Sequence, residues 1–393
     1  MANVKKVVHL TSAHLANDVR IFRKECRSLA GAGYEVVLVA PHPRDEYLDG
    51  VQIRGVTPPK NRASRMLLTT LRVLRAALRE RGDIYHFHDP ELMPVGVFLK
   101  LHGKRVIYDA HEELAKDILS KEWVPVFLRP MLSHAARLIE AAAVRCYDGV
   151  AAATPAIARQ FPADKTILLQ NFAQQPHRAV VDYSRERRNP PTVVYVGGLC
   201  RERGIVELVT AMSLLPESLG VRLGMAGWFD PPEFGAELAA LPGWSRVDYL
   251  GKISLEETAR LLQGARAGMV TFLATPNLIE SQPTKIFEYM AAGLPVVASD
   301  FPWWREMIGG AGCGRLVNPA KPSEIAEAIC WLIEHPEESE EMGRRGQRAW
   351  QQTYKWEHEA ERLLALYDRL LSAGAGADRA REHPRAPGQS RAA

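Results

Sequence analysis

With 393 residues, 47% of them hydrophobic and 24% charged, the chain is too long for a single compact core and too apolar for a disordered or fibrous class, so two lobes of roughly 150 to 180 residues are expected. No run of eighteen apolar residues occurs, which excludes a helical membrane span, and five cysteines without CxxC spacing fit reduced residues of a cytoplasmic protein, mostly core filler. The net charge of +4 hides an asymmetry: residues 1–178 carry 26 Lys+Arg against 18 Asp+Glu, and the remainder 24 against 28. A basic first half suits an anionic partner, such as a membrane surface or a phosphorylated lipid, or is a solvated face with no partner.

Met1 to Lys6 lead straight into a strand at Lys6 to Leu10, leaving no room for a signal peptide. A helix follows at Val19 to Ala32, closed by Gly33 as a C-cap, and then a strand at Tyr34 to Ala40. From Arg62 to Arg81 a helix places Met66, Leu67, Leu71, Leu74 and Leu78 on one face, with Arg65, Arg72, Arg75 and Arg79 around it. Further strands are expected at Asp83 to His86, Arg105 to Tyr108, Gly149 to Ala153 and Thr166 to Leu169. After a polar, charged hinge at residues 173–190, a second series runs through Thr192 to Val196, Arg222 to Ala226, Arg246 to Leu250, Ala267 to Phe272 and Val296 to Ser299. Repeated βα alternation means doubly wound parallel sheets, hence two Rossmann-like lobes at 1–172 and 191–354 with a cleft between them. A terminal helix at 355–371 is expected to cross back to brace the first lobe. The tail at 372–393 has too little apolar content to fold.

Several polar clusters sit just past these strands. His14, Asp18 and Arg20 follow the first, and Asp18 is either part of a site or the N-cap of the next helix. Tyr85 to Glu91, with His86 and His88, and Tyr108 to Glu113, with His111, offer histidines and carboxylates without a compact metal signature. They read as a substrate-facing rim, as structural histidines or, least of all, as metal ligands. Ile118 to Leu132 is apolar, aromatic and twice interrupted by proline. It is an interfacial patch, a lid over a hydrophobic acceptor or ordinary packing between lobes.

In the second half, Gly197-Gly198-Leu199-Cys200-Arg201-Glu202-Arg203-Gly204 joins a strand to a helix. Its glycines admit a pyrophosphate and Arg203 or Arg201 supplies a phosphate contact. Glu280-Ser281-Gln282-Pro283-Thr284-Lys285-Ile286-Phe287-Glu288 follows another strand, where open α/β sheets bind ligands. Pro283 is expected at the first helical position, leaving the amides of Thr284, Lys285 and Ile286 facing an anion, with Lys285 adding charge. Two carboxylates beside an anion site are useful if they accept hydrogen bonds from the hydroxyls of a ribose or hexose.

These residues resemble the retaining glycosyltransferases of family 4, which have the two-lobed GT-B fold. The resemblance spans roughly Val7 to Leu371 and rests chiefly on Glu280 to Glu288 with the following residues to Val297, and on Tyr195 to Leu199. Asp18 to Glu25, His88-Asp89 and Asp109 to Glu112 look like one branch of that family. The resemblance implies that Glu288 binds the ribose of a nucleoside diphosphate sugar, that Glu280 contacts hydroxyls of the transferred sugar, and that His111 orients that sugar near its anomeric carbon. Arg203 stands where the family usually has a phosphate-binding lysine. Gly198 replaces the usual arginine of the turn, and Thr11-Ser12-Ala13-His14 replaces a glycine-rich loop.

The expected activity is therefore sugar transfer from a nucleoside diphosphate sugar to a hydroxyl acceptor such as a lipid-linked or cell-envelope glycan. No cofactor, metal or nucleic acid is implied. The expected site comprises His111 and Glu280 as catalytic residues, and Gly197, Gly198, Arg203, Thr284, Lys285 and Glu288 on the donor. His14, Asp18, Arg20 and His88 fall on the acceptor side. The location expected is cytoplasmic, peripheral at the inner membrane face if the basic lobe meets anionic lipid. An epimerase or phosphorylase on the same fold, and a non-catalytic nucleotide-sugar-binding protein, are the rival readings.

Overall fold

The computed structural model of the protein describes residues 4–61, 64–120, 124–174 and 190–382. It divides into two compact units, residues 1–170 with 359–393 and residues 171–358. Most of the hinge assigned from the sequence, residues 175–189, lies outside the described residues.

The first lobe is an eight-stranded sheet built from β1 (Lys6–Leu10), β2 (Glu35–Pro41), β3 (Glu46–Leu48), β4 (Val51–Val56), β5 (Ile84–Phe87), β6 (Arg105–Ala110), β7 (Gly149–Ala152) and β8 (Thr166–Leu168). Its order is β3-β4-β2-β1-β5-β6-β7-β8, and every pairing is parallel except the β3–β4 hairpin. That hairpin is not announced by hydrophobic periodicity. Its signal is Asp49-Gly50, whose φ angles of 50° and 82° suit a tight hairpin turn. On one face of the sheet Val8, Leu10, Val37, Val39, Tyr85, Phe87 and Tyr108 form the core. Strand side chains alternate, so the intervening His9, His86 and Asp109 point to the other face.

Two helical segments differ from their sequence reading. The helix after β4 (Arg65–Thr69 continuing as Thr70–Glu80) buries Thr69, Val73 and Ala77 and leaves Met66, Leu67, Leu71 and Leu78 exposed, the reverse of a leucine face turned inward. Small side chains let this helix lie close on the sheet. At the other end, the terminal helix Trp356–Glu382 runs past Leu371, so residues 372–382, expected in a disordered tail, are helical. Alanine-rich sequence extends an existing helix without a new nucleation cost. Residues 383–393 lie outside the described residues. Within the first unit this helix sets Tyr367 against His9 and His86, and Glu359 accepts the Gln170 amide at 2.9 Å.

The second lobe is a six-stranded, wholly parallel sheet of β9 (Thr192–Val196), β10 (Arg222–Ala226), β11 (Val247–Tyr249), β12 (Ala267–Val270), β13 (Val296–Ser299) and β14 (Gly314–Val317), ordered β11-β10-β9-β12-β13-β14. Its four inner strands are buried on both faces, which is why they read as largely apolar runs rich in Val, Ala and Met, while the edge strands β11 and β14 are partly exposed. β14, with its Gly314-Arg315 start, carries too little apolar signal to be expected. Connections reverse direction between β9 and β12, and the loops at the carboxyl ends of those two strands hold the turn Gly197–Gly204 and the segment Glu280–Glu288.

Candidate active site

In the second lobe the glycine turn is shaped around two cations. A Cβ on Gly197 would come 2.9 Å from Lys285 Nζ, and one on Gly198 would come 2.9 Å from Arg203 Nη1. Side chains at these two positions would therefore displace the charges beneath them. Arg203 donates to the Gly198 carbonyl at 3.1 Å, and Lys285 donates to the Tyr195 hydroxyl at 2.9 Å, which itself donates to the Gly198 carbonyl at 2.9 Å. Lys285 Nζ also lies 4.0 Å from the Tyr195 ring centroid and 5.1 Å from that of Phe272. Burial, with the nearby Arg203 charge, pushes the Lys285 ammonium well below its ordinary range. The site thus holds more positive charge than its surroundings balance, and a bound anion would relieve it. The aromatic wall, Tyr195 and Phe272, was missed as a site feature. Tyr195 could have been found from its place two residues before the glycines.

The helix Thr284–Ala291 opens beside this turn. Pro283 is its N-cap, with φ −65° and ψ 126°, and not its first helical residue as expected. Its extended ψ lies outside the helical range. The Ile286 amide closes onto the Pro283 carbonyl at 3.1 Å, so of the three amides expected to face an anion those of Thr284 and Lys285 remain at the helix entrance. Glu280 is exposed and follows the short helix Pro276–Ile279, whereas Glu288 is half-buried in the second turn of the later helix. Trp304, wholly buried, donates its indole N–H to the Ser281 carbonyl at 2.8 Å and pins the loop between the two glutamates. Nothing in the local sequence pointed to Trp304.

In the first lobe the sequence-expected residues fall into two groups. His14 and Asp18 are half-exposed. Asp18 caps the following helix by accepting from the amides of Arg20 and Ile21 at 2.8 and 2.9 Å, while His14 lies 3.4 Å from both Asp18 and Asp89. Burial disfavours the charged His14, but its hydrogen bond to Asp18 and the charges of Asp89, Asp18 and Asp109 outweigh it and raise its basicity. Asp89 organises the loop that replaces a glycine-rich one, accepting from Thr11 Oγ1 at 2.7 Å and from the Ser12 amide at 2.6 Å.

Arg20 and His88, placed on the acceptor side from the sequence, are interior, at 5% and 2% exposed. Both are spent on Asp109, itself fully buried: Arg20 Nη2 and Nε reach its two oxygens at 2.8 and 3.2 Å, and His88 Nδ1 reaches Oδ2 at 3.1 Å. His111, part-exposed, reaches the same oxygen at 2.9 Å through Nε2. Burial alone would raise the Asp109 carboxyl, but the Arg20 guanidinium and the bonds from His111 and His88 hold it well below the usual carboxylate range. Behind it, burial and the Asp109 charge push Glu25 upward. Asp109 and Glu25 lie inside motifs read from the sequence without a role of their own, His86 was read only as one of a histidine cluster, and His9 was missed. Among the described residues, His9, Glu25, His86 and His88 stand close enough to hold a metal ion, as do His88, Asp109 and His111.

Comparison with known proteins bears on the family and the fold. Residues 181–349 match the family described as Glycosyl transferases group 1, and residues 19–167 match the Glycosyl transferase 4-like domain. The chain is 25% identical over 323 residues to MMP alpha-(1->4)-mannosyltransferase of Mycolicibacterium hassiacum, covering 77% of this chain and 75% of that protein. It is 24% identical over 358 residues to phosphatidyl-myo-inositol mannosyltransferase of Mycolicibacterium smegmatis, covering 88% of each. Among solved structures, sucrose-phosphate synthase from Thermosynechococcus elongatus aligns with a TM-score of 0.76 at 19% identity, covering 94% of this chain and 100% of that one. Anabaena HepE in complex with UDP-glucose aligns with a TM-score of 0.69 at 14% identity, covering 93% and 99%. At these identities the structural likenesses speak to the fold.

Proposed function

The chain belongs to the family 4 glycosyltransferases of GT-B fold, and on that premise we propose that it transfers a sugar, with retention of configuration, from a nucleoside diphosphate sugar to a hydroxyl acceptor. The observation that carries this reading is the pair of cations under the Gly197-Gly198 turn, at the carboxyl end of β9 and beside a helix entrance. A diphosphate is the ligand such a cradle suits: Lys285 and Arg203 neutralise it, and the Thr284 and Lys285 amides add oriented dipoles. As the sugar departs, negative charge builds on the diphosphate and these groups stabilise it, with no cofactor beyond the donor itself. Glu288 is assigned to the ribose, Glu280 to hydroxyls of the sugar, and His111 to the sugar near its anomeric carbon. His14 and Asp18 remain the acceptor-side candidates.

Glu288→Ala is expected to weaken donor binding by about 10- to 100-fold, the worth of hydrogen bonds to a charged acceptor. His111→Ala should instead lower kcat by about 100-fold with a smaller change in KM, the cost of a misplaced reacting centre. Donors are first chosen by a thermal-shift screen, in which a nucleotide sugar at a hundred times its Kd stabilises by about 2.7 kcal/mol. Both variants transferring sugar at wild-type rates would sink the site assignment. An epimerised sugar released without acceptor would turn the reading to the epimerase.

A membrane-bound acceptor is supported by the exposed apolar residues of the first lobe. Met66, Leu67 and Leu71 accompany exposed Arg72, Arg75 and Arg79, and Val126, Phe127 and Met131 are 72%, 80% and 61% exposed at the start of the helix Arg129–Cys146. Residues 121–123 of the segment expected at an interface lie outside the described residues. Among the described residues no helix is long and apolar enough to cross a membrane, so the attachment proposed is peripheral, at the inner face. Vesicles containing anionic lipid should sediment the protein, and Arg72→Glu should weaken this by about 1 kcal/mol or more. Equal binding to neutral vesicles would remove the electrostatic part of the proposal.

A further inference from the structure

Behind Asp109 the first lobe contains a hydrogen-bonded series of rings whose direction can be deduced. Parallel register sets His9 on β1 opposite His86 on β5, and His88 follows His86 on the same face. Tyr367 of the terminal helix closes the group. All four side chains are buried, and the rings stack, His9 on His88 at 5.2 Å and His86 on His88 at 4.9 Å.

Asp109 is ionised and can only accept, so His88 Nδ1, 3.1 Å away, must be the donor. A neutral His88 then presents a lone pair at Nε2. His9 Nδ1, 2.9 Å from that nitrogen, must carry a proton, which leaves His9 Nε2 to accept from the Tyr367 hydroxyl at 3.1 Å. The Tyr367 oxygen in turn accepts from His86 Nδ1 at 2.9 Å. Each ring has one proton and one direction. Burial depresses the basicity of His9, His86 and His88, which keeps them neutral as this requires.

We propose that His88 is a positioning residue for His111, held as an Nδ1–H donor by Asp109, and that this sets the direction of a hydrogen-bond relay through His9 that ends on Tyr367. His111 and His88 share Asp109 Oδ2, with their ring nitrogens 3.3 Å apart. Asp109 makes His111 Nε2 a donor, and the His88 ring, set edge-on to that of His111 at 5.4 Å, limits the orientations from which it can donate. A metal ion among His9, Glu25, His86 and His88 is the rival occupant. It would consume ring nitrogens already spent on this relay, and it would sit beside the Arg20 guanidinium, whose Nε is 3.0 Å from Glu25 Oε1.

The kinetic arm of the test rests on the reading of His111 given above, and the spectroscopic arm does not. In protein labelled with 15N-histidine, His9, His86 and His88 should each give a neutral Nδ1–H signature and His111 an Nε2–H one, assigned by single substitutions. His88→Leu should leave His111 averaging between tautomers and lower kcat by about tenfold, one hydrogen bond's worth, with KM within about twofold. His88→Asn, whose amide nitrogen stands near Nδ1, should recover most of both. Tyr367→Phe, which keeps the ring and its packing, removes the donor to His9 Nε2 and should leave the His88 proton on Nδ1, where Asp109 holds it. Signals moving as expected with kcat unchanged would uphold the relay and overturn the role of His111 in turnover. A proton on His88 Nε2, an unmoved His111 in His88→Leu, or one equivalent of tightly held divalent metal lost from His88→Leu would each overturn the relay.

Discussion

Replacing Arg20 with leucine is expected to destabilise the first lobe by about 3–5 kcal/mol, the cost of removing one partner from a buried ion pair. The guanidinium is 5% exposed, binds both oxygens of Asp109, lies 3.0 Å from Glu25 and donates to the Leu169 carbonyl at 2.9 Å. Leucine fills much of the volume but removes the guanidinium from Asp109, which must then take up a proton or stay charged in a medium that solvates it poorly. Lysine should not rescue the loss, because a single ammonium cannot span both Asp109 oxygens and the carbonyl. Hydrogen exchange of the β1, β5 and β6 amides is the measurement to make, since it isolates this lobe's opening free energy from that of the other. A loss under about 1 kcal/mol would show that these buried charges are balanced by something other than Arg20.

Gly204→Ala is the second large effect, expected to cost the second lobe at least about 3 kcal/mol and to abolish donor binding with it. Gly204 has φ +66°, where a side chain is strained, and its Cβ would overlap the carbonyl oxygen of Thr271. That carbonyl belongs to the backbone at the end of β12, held by the Leu273 amide bonding to the Glu202 carbonyl at 2.8 Å, so it cannot swing aside. Relief would have to come from the Arg201–Arg203 turn, which carries the guanidinium proposed to meet the phosphates. Gly220→Ala is the control. Its φ is +57°, but the nearest atom to an added Cβ is 3.9 Å away, so conformational strain of about 1 kcal/mol is all it should incur. All tryptophans except Trp123 fall within residues 171–358, so fluorescence-detected denaturation reports on this lobe. Equal losses in the two variants would mean that the Thr271 contact does not constrain the turn.

Legibility differed sharply between the two parts of the candidate site. The donor side was readable because its residues lie in two short segments, Gly197 to Gly204 and Glu280 to Glu288, each following a run of apolar residues. What the segments hid was orientation. Lys285 reads as a charge on a helix entrance, yet it lies folded onto Tyr195 and beneath Gly197. Pro283 reads as the first helical residue and serves instead as the cap. In the first lobe, Arg20 and His88 look like polar rim residues by their position after strands, and they are interior. Their partner Asp109 is 89 positions from Arg20 and 21 from His88, distances over which no local pattern carries information.

By itself the sequence determined the class of architecture and suggested the chemistry of the proposed ligand. Strand and helix periodicities are local, and an ordered set of glycines, cations and carboxylates at strand ends suits a phosphorylated, hydroxyl-rich molecule. The tertiary structure alone decided which polar residues face solvent and which face one another. Parallel register, a property of paired strands, brings His9, His86, His88 and Asp109 onto one face, and the last helix supplies Tyr367 from 358 residues beyond His9. Once those groups are buried, most of their hydrogen bonds are made to one another, and that turns scattered histidines into a single directed network around His111, with His86 Nε2 left unpartnered among the described residues.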